Sequence, residues 1–446
     1  FLPKESRMLD FSVHFHNLER VLDPGQADLP LAWSQLAPSQ ELDAEIERSR
    51  TTIYYQTEDE SVSRIGRGGA NEEEIDESLR WISFKQQFFC NALILNDGLF
   101  KRPVTAKAGV PNEEDSTVNM AFLANLSLPY SYQPQEQVSM RWFLGPLHYQ
   151  TLATYEIGLE DQIDLGYIGI FTWINKYLII PVFNFFDGLG LGYGLIILLL
   201  TLIIKVLLSP LNFKTFVSSA KMRILKPEVD ELSKKFKPEE AMKKQQAVMT
   251  LYRQAGVNPL AGCLPMLVQM PFLLAMFSFF PSAIELRQQG FLWAEDLSTY
   301  DSILALPFNI PFYGSHVSLF TLLMTVTTIL YTRMTSGQMQ TGANAQQMKI
   351  MMYVMPLIFL GVLNNYSSAL SYYYFLSNVV SIGITLAIRK FFIDEDKLRV
   401  KIEANKQNPK KKSKFMRRLE EAQKAKQQQA RQGNAPKNRR GRRQGN

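Results

Sequence analysis

Cysteine is scarce: Cys90 and Cys263 are the only two in 446 residues, and they lie in segments of unlike composition. They are too few and too scattered for a disulfide framework or a zinc site, so redox and structural-metal chemistry drop out. His14 and His16 share one face of a strand-like segment, but no second pair of ligands follows to complete a metal site. No GxxxxGK(S/T) loop is present, which removes phosphate-loop nucleotide chemistry. Aspartate and glutamate are missing from every long apolar run. An intramembrane hydrolase would need a nucleophile with its base, and the nearest histidine, His316, falls at the edge of a run. A secondary transporter of a small solute is the alternative reading; it would show paired interrupted helices and usually an intramembrane acid, and neither is seen. The chain is expected to need no cofactor and not to be an enzyme. It starts at Phe1 rather than Met, so a preceding signal anchor is expected.

What is present is a strong charge asymmetry. Residues 1–165 carry 13 basic against 26 acidic residues, residues 166–388 carry 15 against 10, and residues 389–446 carry 20 against 6. An acidic block, an apolar block and a basic tail are three environments, not one globular core.

Five apolar stretches are candidates to cross a bilayer, each to be measured against the ~20 residues a span requires. They run over 189–211, 260–280, 317–334, 348–363 and 369–388, the fourth being short enough to tilt or re-enter. The connection 212–259 holds ten Lys and Arg, whereas 281–316 holds Arg287 alone. Basic loops stay in the cytoplasm, so the acidic block is expected outside and both the 212–258 loop and the tail inside.

The acidic block, residues 1–164, reads as a β-sandwich. Phe11, Val13 and Phe15 alternate with polar residues, 138–145 does so less cleanly, and DPG (23–25) and NDG (96–98) signal turns. Residues 165–188 are aromatic and amphipathic, which suits a helix lying in the headgroup region. The helical core spans 189–390. The loop 212–258 reads as a helical hairpin punctuated by Pro227 and Pro238, with Met242, Gln245, Met249 and Tyr252 on one face; it is either a solvated hairpin or a docking arm for arriving chains. Residues 391–446, with KKKSKFMRR (410–418) and NRRGRRQ (438–444), are expected to be disordered. Their charge suits ribosomal RNA or anionic lipid, or serves only as a topology anchor.

Polar residues recur inside the apolar runs at helical spacing. Thr201, Lys205 and Ser209 share one face; so do Thr321, Thr325, Thr328 and Thr332, and Ser371, Tyr374, Asn378, Ser381 and Thr385, while the second run adds Gln269. Hydroxyls that bond their own backbone account for a single stripe. Stripes on three helices with one charge among them point to a hydrated cavity. Lys205 either snorkels toward the end marked by Ser209 and Pro210 or lines a groove open to the cytoplasm, where it attracts acidic segments. Met266, Met270, Met351 and Met355 offer adaptable apolar surface to varied partners, although methionines also fill ordinary cores.

NPLAGCLPMLVQMPFLLAMF (258–277), AKMRILKPEV (220–229), MTLYRQAGV (249–257), TLIIKVLLSPL (201–211) and SYYYFLSNVVSI (371–382) resemble, in this order, the YidC/Oxa/Alb membrane protein insertases. RWISFKQQFFCNALI (80–94) and WFLGP (142–146) resemble the periplasmic sandwich found in YidC of bacteria with two membranes. The resemblance implies five visible transmembrane helices with a cytoplasmic hairpin in an inner membrane, and a periplasmic N-terminal domain. It implies a groove at Lys205 with Thr201, Gln269 and Tyr374; Asn378 and Ser381 continue the last stripe. It implies insertion of nascent membrane proteins into the lipid bilayer, with the Sec translocon and, through the basic tail, the ribosome as partners. Two departures stand out: relatives often carry Arg where this chain has Lys205, and a Pro-Ser-Gly turn where it has NNYSSA (364–369).

Overall fold

The computed structural model describes residues 7–23, 28–66, 68, 70–111, 117–166, 168–237, 240–257, 264–336 and 345–407. Two compact units emerge: the described residues of 214–257 and 388–407, with Ala345, form one, and the other described residues form the second.

The second unit begins with ten strands. These are β1 (Met8–His16), β2 (Asp28–Pro38), β3 (Thr52–Thr57), β4 (Val62–Arg64), β5 (Asn71–Ile75), β6 (Leu79–Lys85), β7 (Phe89–Leu95), β8 (Lys101–Gly109), β9 (Val118–Pro129) and β10 (Gln135–Pro146). They form two antiparallel sheets, ordered β1-β10-β7-β6-β3-β4 and β2-β9-β8-β5. Phe11 lies opposite Met140 and Val13 opposite Val138, so the alternation in the sequence sets the register of β1. Inner faces of both sheets share one core, in which Trp33 stacks on Phe84 at 3.8 Å and Phe84 on Phe122 at 4.9 Å. The NDG turn joins β7 to β8, with Gly98 at φ 102, a conformation that favours glycine. His14 and His16 sit on the exposed face of β1, and Pro24 and Gly25 of the DPG signal lie outside the described residues.

The central strands of the six-stranded sheet are buried on both sides. Ile82, Phe84, Leu93 and Leu95 face the four-stranded sheet, while Trp81, Cys90, Ala92, Ile94 and Phe143 pack against residues 147–165 and the apolar helices. Its central strands therefore read as continuous apolar runs, which is why 80–94 lacks clean alternation. Burial pushes the Cys90 thiol up to about 12, so it stays an inert core residue; Cys263 lies outside the described residues.

Helices follow. α1 (Ala44–Ser49) and α2 (Tyr149–Ala153) are short pieces of the sandwich. Residues 165–188 are not one regular helix: α3 (Gly169–Ile174) and α4 (Ile180–Asp187) flank a π-helical turn, Asn175–Ile179. Asn175 explains the break, since its buried amide donates to the carbonyls of Leu165 and Ala275 at 2.7 and 2.9 Å and fixes the segment to the helices. The opposite face exposes Ile170, Trp173, Tyr177 and Phe185.

The long elements are α5 (Tyr193–Ile224), α6 (Lys226–Lys234), α7 (Ala241–Gln254), α8 (Leu264–Phe279), α9 (Leu319–Ser336), α10 (Ala345–Leu363), α11 (Ser368–Phe391) and α12 (Glu395–Gln407). Between α8 and α9 runs a two-stranded hairpin, β11 (Leu304–Ile310) and β12 (Gly314–Val317). Among the described residues, α5 and α11 are long and apolar enough to cross a membrane; the apolar stretches 267–282, 319–335 and 352–363 are shorter. The sequence places the end of the first run at Ser209 and Pro210, yet α5 passes through Pro210 to Ile224. A proline removes one backbone bond but does not end a helix that flanking turns hold.

In the first unit, α6 and α7 pack through Val229, Val248, Tyr252 and Ala255 with Met222 and Leu225. The buried stripe of α7 is therefore Val248, Tyr252 and Ala255; Gln245, placed on that face by the sequence pattern, is exposed. The side chain of Met242 lies outside the described residues. Order also extends into the expected disordered tail, for α12 buries Ile402 in the same core. Lys406 pairs with Glu228 at 2.8 Å and Arg223 with Glu395 at 3.0 Å. Only one of the apolar residues in this charged segment is buried, so no helical period stands out, and Ile402 orders the helix only because the hairpin supplies a partner face. Residues 408–446, which hold both basic clusters, lie outside the described residues.

Candidate functional site

Lys205 lies on α5 with only 4% of its surface exposed. Its ammonium donates to Gln269 Oε1 on α8 at 3.1 Å and to Ser381 Oγ on α11 at 2.9 Å. Ser381 in turn donates to the carbonyl of Ser377 at 2.7 Å, so one hydroxyl accepts from the lysine while satisfying its own helix. Three helices thus converge on one cation. An ammonium has three donors, and among the described residues two of them find acceptors and neither acceptor is a carboxylate. The charge is held by neutral dipoles, which lower its burial cost without cancelling its field.

The other stripe residues divide between local and tertiary bonding. Thr201 is buried one turn from Lys205 and donates to its own helix at the Ile197 carbonyl, 2.7 Å away. Thr325, Thr327 and Thr328 likewise bond backbone carbonyls of α9. Other links cross between helices: Asn378 donates to Thr328 Oγ1 at 2.8 Å, the hydroxyls of Thr321 and Ser371 lie 2.9 Å apart, and Thr321 also donates to the Leu363 carbonyl of α10 at 3.2 Å. Tyr374 is half-buried, edge-on to Tyr373 at 5.7 Å. Of the six groove residues expected from sequence, Lys205, Gln269 and Ser381 therefore meet directly. Thr201 and Asn378 face neighbouring backbone and the α9 threonines instead, because a hydroxyl or amide in an apolar setting takes the nearest acceptor.

Of the methionines, Met270 on α8 and Met355 on α10 are exposed, beside Leu267, Val354, Leu357 and Ile358. Met266 and Met351 belong to the same helices, and their side chains lie outside the described residues.

Sequence reasoning missed the polar work of the connection between α8 and α9. Asp301 is buried and caps α9: Oδ2 accepts from the amides of Leu319 and Phe320 at 2.8 and 3.0 Å and from Trp293 Nε1 at 2.8 Å, and Oδ1 accepts from Ser318. Asn364, the first residue of the divergent NNYSSA segment, donates to the Tyr313 and His316 carbonyls, both at 2.9 Å, and accepts from the Ser318 amide at 3.0 Å. His316 stacks on Tyr300 at 3.8 Å and bonds the Asn364 carbonyl, so it is a structural residue. The sandwich is tied to the same connection by Arg287–Glu41 at 2.8 Å, Gln87 to the Pro281 carbonyl at 3.0 Å, and His148–Glu285 at 3.4 Å. Burial raises the carboxyl pKa of Glu41 despite the Arg287 guanidinium beside it, and burial likewise raises that of Glu285. Nothing in the sequence pairs Asp301 with the start of α9, which lies 18 residues further along the chain, or Arg287 with Glu41.

A membrane helix set with a buried cation, beneath a β-rich domain, agrees with two family descriptions that match this chain. "60Kd inner membrane protein" covers residues 184–396 and "YidC periplasmic domain" covers residues 26–181. The chain is 41% identical to "Membrane protein insertase YidC" of Parabacteroides distasonis over 98% of its own length and 71% of that protein's. The same-named proteins of Bacteroides fragilis and Porphyromonas gingivalis are each 42% identical over 97% of this chain, which covers 71% and 70% of them. Matched along almost its whole length, in both its β-rich and its helical part, the chain belongs to the YidC family of membrane protein insertases.

Proposed function

We propose that this protein inserts nascent transmembrane segments into the bacterial inner membrane and aids their folding, using a polar, hydrated pocket at Lys205 that opens to the cytoplasm and no nucleotide hydrolysis. The observation that carries the reading is the Lys205 ammonium, held by Gln269 and Ser381 among three helices without an acidic partner among the described residues. Such a charge attracts the acidic or polar flank of an arriving chain, which then crosses less hydrocarbon on its way. The apolar stretch slides into lipid along the exposed surface of α8 and α10 at Met270 and Met355, with Met266 and Met351 on the same helices, and burial of about 20 apolar residues drives the step.

In this reading α5 and α8–α11 are five spans, the sandwich is periplasmic, and the α6–α7 hairpin and C-terminus are cytoplasmic. Nascent chains are received beside the hairpin, with the ribosome held by the basic tail and the Sec translocon as a neighbour. The test replaces Lys205 by Glu and, separately, by Arg and follows insertion of single-span substrates into inverted vesicles. Arg is expected to retain insertion and Glu to abolish it for substrates with acidic flanks; normal insertion with Glu overturns the attraction mechanism. Removing residues 408–446 should lower ribosome co-sedimentation more at low salt than at high salt.

A further inference from the structure

The β11–β12 hairpin exposes more apolar surface than any water-facing loop needs. Ile303, Leu304, Phe308 and Ile310 are exposed, and Phe312 at its tip is 95% exposed. From Ser302 to Thr332 the chain carries no Asp, Glu, Lys or Arg. A soluble hairpin protects its edges with charge; this one instead has Pro307 and Pro311, which carry no N–H to leave unpaired.

The tip is also held at a definite level. A Cβ added to Gly361 would lie 3.0 Å from the Phe312 carbonyl oxygen, so the tip rests against the last turn of α10, about 3 Å short of its end at Leu363. Asn364 bonds the Tyr313 carbonyl just beyond. Phe312 adopts φ 66, an uncommon conformation for an aromatic residue that surrounding structure must impose, and it leaves the ring facing outward. On α10 itself Leu357, Ile358, Phe359 and Val362 are exposed near the same end, so exposed apolar side chains flank the turn on which the tip rests.

We propose that this hairpin docks in the lipid interface of the leaflet on the sandwich side, with Phe308 and Phe312 among the upper acyl chains. The proposal rests on the reading that α9–α11 cross the bilayer. Lipid is the occupant favoured over a polypeptide because the patch offers no charge and lies level with a helix end. Both strands of the hairpin keep open edges, and open edges are not tolerated in the hydrocarbon centre, so the element stays at the headgroup boundary.

The full chain is reconstituted in phosphatidylethanolamine–phosphatidylglycerol vesicles containing a tritiated phospholipid, with a benzophenone amino acid replacing Phe312 or Phe308. The same group at Ile358 reports the α10 surface, and at exposed Glu72 on β5 it reports the water phase. Covalent lipid label at 312, 308 and 358 with loss of label at 72 is expected. Label at 358 but none at 312 or 308 overturns the hairpin proposal alone, as does a cross-linked dimer or a protein adduct from either hairpin position. Absence of label at 358 overturns the reading of α10 as a span, and this proposal with it.

Discussion

Whether the Lys205 pocket is wet can be decided by its hydrogen bonds. Replacing Gln269 with Leu keeps the side-chain volume and removes one of the two acceptors seen at the ammonium. In a sealed apolar site, loss of a bond to a charged group costs about 1.5–3 kcal/mol, and leaving part of a buried charge unpaired costs more. In a site that water reaches, a water molecule replaces the amide oxygen and the cost falls to about 1 kcal/mol or less. The same comparison applies to Ser381→Ala, whose hydroxyl lies 2.9 Å from the ammonium. A double-mutant cycle of Lys205→Met and Gln269→Leu isolates the pair. Stability is measured by titrating SDS into the purified protein in mixed micelles and following loss of helical structure. A hydrated pocket gives a coupling energy near 1 kcal/mol, whereas a coupling above about 3 kcal/mol shows a dry, sealed lysine and refutes the hydrated-groove reasoning.

Asp301→Ala should remove the cap of α9 and strand buried donors of Leu319, Phe320 and Trp293, lowering stability by about 2–4 kcal/mol with early amide exchange at 319 and 320; unchanged exchange there would count against the cap. Ile402→Ala should cost about 2–4 kcal/mol within the unit formed by α6, α7 and α12 and make α12 protease-sensitive, an outcome checked by hydrogen exchange over 222–257 and 395–407. The raised carboxyls of Glu41 and Glu285 predict a pH slope with a definite sign. Their contribution to stability is fully present below the ordinary value of 4.5 and declines as pH rises through the raised folded-state values. Thermal unfolding between pH 4 and 8 should therefore show a shallower slope in Glu285→Gln than in the unaltered protein, and an unchanged slope would show that Glu285 does not report on folding.

Much of the architecture is legible in the residues because it follows from local patterns. Alternation in β1, the NDG turn, the apolar runs and the Lys and Arg distribution each act over a few residues and need no partner to be read. The stripe spacing brought Lys205 and Ser381 onto the page before any coordinates, and Gln269 entered as a lone polar residue of the second run that the family resemblance placed in the groove. Spacing says which face a residue occupies, however, and not which acceptor is nearest, so Thr201 and Asn378 were grouped with a cluster from which their hydrogen bonds turn away.

By itself the sequence determined the order of the three environments, the β-rich and helical halves, and the presence of a cation, Lys205, inside an apolar run, since hydrophobic spacing and charge are properties of short segments. Tertiary structure alone decided that the central strands of the larger sheet are covered on both faces, that α5 continues past Pro210, that Ile402 orders a helix in the basic tail, and that Asp301 and Asn364 hold the connection between α8 and α9. Each of these depends on a partner far along the chain, and a burial or hydrogen bond made across such a separation leaves no period for the sequence to show.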